Sequence, residues 1–419
     1  MNDELRQIGI WWIYAEDVTE PTRVHGILSR TSDGHIELEI TSQAFSPNLD
    51  CAFGKSFYIW GINKKNVPIT LINAVALSYS EYGVQTIRAS YALVGMHIKS
   101  VDEVCVNSAC AHYPYLSDFY FYNRINIGEN SDNYTISVDK SQNSNSRIIR
   151  LDNNSSWELR CAWSFSANHA FKKVCVSQES YFWVHCNEEV SLTTLNRNIK
   201  EFTELLSFSF MREQNPDEIT FYRKDNPDHK ITLYFKKEEN VKPISNLFNE
   251  KFSQSQLDEV ICNWHNCFKQ LHPVYISLER AGNRSKGIGA VPEFLHAEFA
   301  AEGYFKRFHQ NGGPKKEKVY CEKILRELLS FFNSVDIIRN MNLNLKRINE
   351  TRNAYVHLYD YNEEVYTQPH DLWIVTEKLR ILVTCCVLYK LGLSFDEINK
   401  RIQSARILLP EAYSINNWF

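Results

Sequence analysis

An arginine, an asparagine, a histidine and a tyrosine are spaced through Glu350–Asp360, which reads ETRNAYVHLYD. Arg352 is followed directly by Asn353, with His357 four intervening residues beyond the arginine and Tyr359 two further on. Such a set suits the phosphodiester of RNA. An RNA strand carries its own nucleophile, the 2′-hydroxyl, so cleavage needs an acid or base titrating near neutrality and a fixed positive charge on the phosphoryl oxygens. Histidine and arginine supply both without a metal. On a helix Asn353 and His357 share one face at i and i+4, while Arg352, Tyr355, Val356 and Tyr359 fall on the adjoining one. Arg352 and His357 then stand about 140° apart around the axis. One helix converges them poorly, and a second copy across a two-fold axis would close the gap.

Arg-Asn-x-x-x-His at 352–357 resembles the signature of the HEPN superfamily, and with Tyr359 it is similar to the Arg-x-x-x-x-His-x-Tyr form of HepT-type toxins. The resemblance implies a small helical bundle that works as a dimer with two motifs facing each other, and a metal-independent endonuclease acting on RNA. It also implies a tyrosine that can be a target of AMPylation. Upstream, Phe57-Tyr58-Ile59-Trp60-Gly61, Pro68-Ile69-Thr70-Leu71-Ile72 and Tyr91-Ala92-Leu93-Val94-Gly95 are similar to the N-terminal domain of ApeA-type bacterial defence proteins.

Together these resemblances span most of the chain and imply abortive anti-phage defence. A phage-derived trigger, expected to be a protein, relieves restraint on a ribonuclease that cuts cellular RNA, with tRNA the candidate substrate. Cleavage leaves a 2′,3′-cyclic phosphate and a 5′-hydroxyl. His357 then acts as general base or acid, Arg352 stabilises the phosphorane, and Asn353 positions substrate or His357. Tyr359 supports the site or is modified. A non-catalytic alternative stays open, in which a HEPN-like bundle serves as a dimerisation or RNA- or nucleotide-binding module and the β domain binds a partner.

Two further sets of residues belong with the motif. Glu302, in the context Phe294-Leu295 through Ala301-Glu302, matches in placement a glutamate of ApeA-like HEPN domains, where it would orient His357 or pair with Arg352. Lys306, Arg307, Lys315, Lys316 and Lys318, interleaved with Tyr304, Phe305 and Phe308, form a basic and aromatic stretch fit to hold an RNA backbone.

The elements that must position these residues change character along the chain. Ile8–Tyr14, Val24–Leu28, Ile36–Ile40, Phe57–Trp60, Ile69–Ala74, Val84–Arg88 and Tyr91–Val94 are short, rich in β-branched and aromatic residues, and read as strands. Asp33-Gly34 and Gly61-Ile62-Asn63 read as turns between them. Leu192, Leu195, Ile199, Phe202, Leu205, Leu206 and Phe210 follow a helical period, with Ser191 as N-cap. Past the charged run near Lys236–Gln256 the text turns helical, with helices expected at Ser255–Gln270, Pro292–Gln310, Lys316–Phe332, Arg347–Tyr361, Gln368–Leu391 and Phe395–Arg406. The expected architecture is α+β. A mostly-β domain occupies 1–245, a sandwich or partly open barrel with an embedded helix, for which the ApeA resemblance implies a sensing or regulatory role. An all-α HEPN bundle follows at 250–419.

Composition sets the limits. A net charge of -4 with 44% hydrophobic residues describes an ordinary globular protein rather than one that coats nucleic acid indiscriminately, so an RNA site must be a local patch. The N-terminal MNDELRQIGIWW lacks the basic start and apolar core of a secretory signal, and the apolar run Ile381–Leu393 is interrupted by Lys390 and too short to span a bilayer. Eleven irregularly spaced cysteines suit reduced thiols in a cytoplasm. Cys105, Cys110, His112, Cys161, Cys175, His185 and Cys186 miss the paired Cys-x-x-Cys spacing, so neither metal nor other cofactor is expected.

Overall fold

The computed structural model describes residues 5–14, 21–40, 57–79, 84–119, 125–130, 133–138, 146–168, 173–226, 228–237, 246–248, 252–282, 289–309 and 320–405. The chain divides into two units, Met1–Lys200 with Asn215–Val241, and Glu201–Gln214 with Lys242–Phe419.

The first unit is β-rich. Strands β1 (Gln7–Ile13), β2 (Val24–Arg30), β3 (Ile36–Ile40), β4 (Phe57–Asn63), β5 (Pro68–Tyr79) and β6 (Gln85–Ala89) form a closed ring in the order β5-β4-β1-β2-β3-β6-β5. The alternation of β3 shows why. Ile36, Leu38 and Ile40 are fully buried in the barrel while Glu37 and Glu39 point outward. Closure depends on β5, whose residues Ile69–Ile72 pair with β7 (Tyr91–Val94) and whose residues from Val75 onward pair with β6. Between these halves Asn73 takes φ 53, a left-handed bend that asparagine tolerates better than other side chains, and the β4–β5 register shifts there. One strand thus leaves one ladder and enters another.

Gly61 lies inside β4, and the turn follows at Lys64–Lys65, which corrects the expected turn at 61–63. The glycine has a packing reason. A Cβ there would collide with the indole of Trp11, whose Nε1 donates to Gly26 O at 3.2 Å.

Beyond β7 the sheet continues through β8 (Cys105–His112), β11 (Ser146–Arg150), β12 (Ser155–Asn168), β13 (Lys173–Ser191), β14 (Ile219–Tyr222) and β15 (Ile231–Phe235), in the order β7-β15-β14-β8-β13-β12-β11. Strands β9 (Ile125–Asn130) and β10 (Asn133–Val138) form a separate hairpin. Helix α1 (Leu116–Phe119) is a single turn, and α2 (Leu192–Phe210) starts where Ser191 Oγ accepts from Thr194 N at 3.2 Å. The division between units falls within α2, between Lys200 and Glu201.

The second unit is helical: α3 (Gln254–Gly282), α4 (Ala290–Tyr304), α5 (Cys321–Phe331), α6 (Asp336–Arg339), α7 (Leu345–His357), α8 (Pro369–Lys390) and α9 (Phe395–Ser404). Helix α3 runs through Pro273 to Gly282, twelve residues past its expected end at Gln270. The apolar run beginning at Ile381 lies in α8, where Ile381–Leu388 is buried. Among the described residues no helix is long and apolar enough to cross a membrane. Helix α4 packs against both α3 and α8 and buries residues around much of its circumference, among them Phe294, Ala297, Glu298, Ala300 and Ala301. A carboxylate in that set is unusual.

Candidate active site

Helix α7 carries the motif, and its sequence explains which side it hides. Asn344 caps it by accepting from Arg347 N at 3.0 Å, and Ile348, Thr351 and Ala354, spaced by three, form the buried stripe. The segment that follows the helix folds back onto it. Thr351 Oγ1 accepts from Tyr366 N at 2.9 Å, Tyr355 OH donates to Tyr366 O at 3.0 Å, and the Arg347 guanidinium lies 3.9 Å over the Tyr366 ring. The motif residues therefore sit on a helix fixed from two sides.

The helix ends at His357, four residues short of its expected limit at Tyr361. Leu358 turns left-handed at φ 55, and Tyr359 N bonds Ala354 O at 3.1 Å, closing the C-terminus. Tyr359 thus lies outside the helix instead of on the face beside Arg352. Its ring stacks on that of His357 with centroids 5.3 Å apart. Val356, His357, Leu358, Tyr359 and Tyr361 are all exposed, Leu358 by 89%.

Arg352 faces the opposite way, toward α4. Its Nη2 lies 3.7 Å from Glu302 Oε2, its Nε lies 3.8 Å from Glu298 Oε2, and its Nη1 donates to Asn353 Oδ1 at 3.2 Å. Glu298 and Glu302 occupy successive turns of α4 at i and i+4, so both carboxylates address one guanidinium. Neither ion pair is short enough for a good hydrogen bond, and among the described residues both Arg352 Nε and Glu298 Oε2 are buried without a hydrogen-bond partner. The two carboxylates hold the cation by charge without a hydrogen bond, and the neutral amide of Asn353 accepts from it.

Glu298 was not among the residues singled out in the sequence. Burial pushes its carboxyl up and the Glu302 charge adds to this; Arg352, a hydrogen bond from the Cys321 thiol, and Lys306 pull the other way, leaving it at about 7. Its own burial first, and then the Glu298 partnership, drive the Cys321 thiol far above its ordinary range. A signal was present in the sequence. Glu298 and Glu302, one turn apart on a largely apolar helix, repel each other in isolation and call for a shared cation.

Of the expected RNA-binding residues, Lys306 and Arg307 lie in a π-helical turn, Phe305–His309, that extends α4. Lys306 Nζ pairs with Glu302 Oε1, and Arg307 Nη1 donates to Gly303 O at 3.0 Å. Lys306 therefore joins the cluster that contains Arg352. Lys315, Lys316 and Lys318 lie outside the described residues.

In the first unit, His112 Nδ1 meets Asp217 Oδ2 at 3.1 Å and His185 Nε2 meets Glu158 Oε2 at 2.8 Å, while Cys110 is buried on β8. Burial pushes the Glu158 carboxyl up, but hydrogen bonds from His185 and Arg160 outweigh it and bring it down to about 2. Among the described residues no group of three or more His, Cys, Asp or Glu is arranged to hold a metal ion.

Residues 6–264 match the family described as ApeA N-terminal domain 1, and residues 299–397 match Apea-like HEPN. No curated protein and no solved structure matches the chain. The HEPN match contains Glu302, Lys306, Arg352 and His357, and the N-terminal match covers more than half of the sequence. With a β-barrel region leading into a helical bundle that brings Arg352 against two carboxylates, the chain belongs to the ApeA family of HEPN-containing anti-phage proteins.

Proposed function

We propose that the chain is an abortive-infection effector whose HEPN domain, residues 250–419, is a metal-independent endoribonuclease restrained by the β-rich region at 1–245. The observation that carries this reading is the disposition of Arg352. It is a partly exposed guanidinium held between Glu298 and Glu302 at ion-pair but not hydrogen-bond distance, on the same helix as an exposed His357. A phosphate can draw such a fork toward itself because no strong bond has to break first. Arg352 stabilises the phosphorane and His357 moves the proton of the 2′-hydroxyl or of the leaving 5′-oxygen. Asn353, hydrogen-bonded to Arg352, sets the direction of the fork.

The exposed cluster of Val356, His357, Leu358, Tyr359 and Tyr361 supports a homodimer in which each His357 is brought to a second motif. Tyr359, stacked on His357, orients the imidazole. RNA, with tRNA the foremost candidate, is the substrate, and a phage-derived protein is the trigger.

The test is incubation of purified wild-type and His357→Ala protein with total bacterial RNA in EDTA, in buffer and in extract from infected cells, followed by sequencing of new RNA ends with their terminal chemistry. Cyclic-phosphate ends made by the wild type alone are expected. Equal ends from both proteins, or none in infected extract, would overturn the enzymatic reading in favour of a binding module.

A further inference from the structure

We propose that Glu298 is a proton-holding positioning residue, so that a phosphate engages Arg352 together with the uptake of one proton by the Glu298 carboxylate. The inference rests on the reading of Arg352 as the phosphate-binding cation.

The geometry sets up the coupling. Four charged groups share one small cluster: Glu298 and Glu302 from α4, Lys306 from the π turn, and Arg352 from α7, with the Cys321 thiol of α5 hydrogen-bonded to Glu298. With both carboxylates ionised, the two cations are already neutralised and little positive charge is left for a substrate. With Glu298 protonated, the cluster carries a net single positive charge. The two carboxylates are not equivalent. Glu302 is paired with Lys306 and reaches solvent, whereas Glu298 is 1% exposed and its Oε2, 3.8 Å from Arg352 Nε, has no hydrogen-bond partner among the described residues.

An arriving phosphate adds negative charge and draws Arg352 away, so one carboxylate loses its counterion. The buried one takes a proton from the buffer, because an unpaired charge costs far more there. A carboxyl already poised at about 7 needs only a modest push to do so. No covalent change is involved other than formation of the O–H bond. Glu298 touches no substrate: it acts by setting how much of the charge on Arg352 is available.

The test uses full-length His357→Ala protein, which binds without cutting and removes the imidazole as a competing proton acceptor, alongside the His357→Ala/Glu298→Gln double variant. Isothermal titration calorimetry with a short single-stranded oligoribonucleotide, run in buffers of different ionisation enthalpy, counts the protons taken up on binding. In the single variant uptake is expected to approach about one proton at pH 8 and to fall toward about zero at pH 6, where Glu298 already holds its proton. The double variant should show no uptake and should bind as tightly at pH 8 as at pH 6, whereas the single variant weakens about tenfold over that range. Binding without buffer-dependent heat, or uptake unaltered in the double variant, would overturn this inference alone. Absence of RNA binding by both proteins at every pH would overturn the phosphate-binding reading and the inference with it. The single-variant titration is decisive even where the glutamine substitution unfolds the bundle.

Discussion

The hydroxyl of Thr351 accepts a hydrogen bond from the backbone N–H of Tyr366 at 2.9 Å, across a span of fifteen residues. The same oxygen donates to Arg347 O at 2.7 Å, so the residue beside Arg352 is fully used. Thr351→Val keeps the shape and leaves the Tyr366 N–H without its acceptor. A loss of about 1–3 kcal/mol is expected in urea unfolding, with Thr351→Ser close to wild type. A valine variant of unchanged stability would mean that the returning segment is held by Tyr355 and Arg347 instead.

His357 is exposed at the helix end, and the contact described for it is the Tyr359 ring. His357→Ala should therefore lower the rate of RNA cleavage by about 10²–10⁴-fold while leaving the melting temperature in place. Arg352→Lys should also lose activity, since an ammonium presents a point charge where the guanidinium offers a fork to two phosphoryl oxygens. Initial rates on one defined RNA, with melting curves beside them, separate a chemical defect from a folding one.

Acidity should act on the two units with opposite sign. Glu298 holds its proton up to about pH 7 when folded against an ordinary 4.5, so its stabilising contribution is complete below 4.5 and is lost as pH rises through 7. Relative to wild type, Glu298→Gln should gain on the order of 3 kcal/mol between pH 4 and pH 8. Glu158 holds its proton only below about 2, so its contribution is present above 4.5 and disappears as pH falls toward 2. Glu158→Gln should destabilise at pH 7 and progressively less in acid. Chemical unfolding across this range reads both, and parallel pH curves for wild type and variants would contradict the assignment.

Gly61 is a packing requirement of the barrel. An added methyl meets the Trp11 indole, so Gly61→Ala should cost about 1–3 kcal/mol and shift the tryptophan fluorescence. An alanine variant with wild-type melting and emission would show that Trp11 has somewhere else to go.

Much of the fold was legible because the pattern was local. Ile36–Ile40, with its clean alternation, and Tyr91–Val94, an apolar run closed by Gly95, begin and end where the sequence places them. Closure of the ring was not legible, since it turns on one left-handed residue, Asn73, inside what reads as an unbroken strand. Strand β8 was missed because CVNSACAH is poor in β-branched residues; its pairing with β13 and β14, not propensity, makes it a strand. At the site, the Arg352 and His357 spacing could be read directly, whereas the helix stop could not. Leucine at the left-handed position carries none of the glycine or asparagine signal that marks a C-terminus. Glu298 stayed hidden for a different reason: a glutamate on a helix is ordinarily a solvated one, and only the packing of α4 on both sides reverses that.

The ring of six strands bears on how the protein behaves in a crowded solution. A sheet that stops presents a row of unsatisfied amides to any other extended chain, and such rims seed association. Here one end of the long sheet is consumed by its own closure, and the other ends at β11, which carries Arg147 and Arg150. Like charges along that rim repel a second copy. The two arginines thereby bias that rim of the long sheet against edge-to-edge pairing with a second copy.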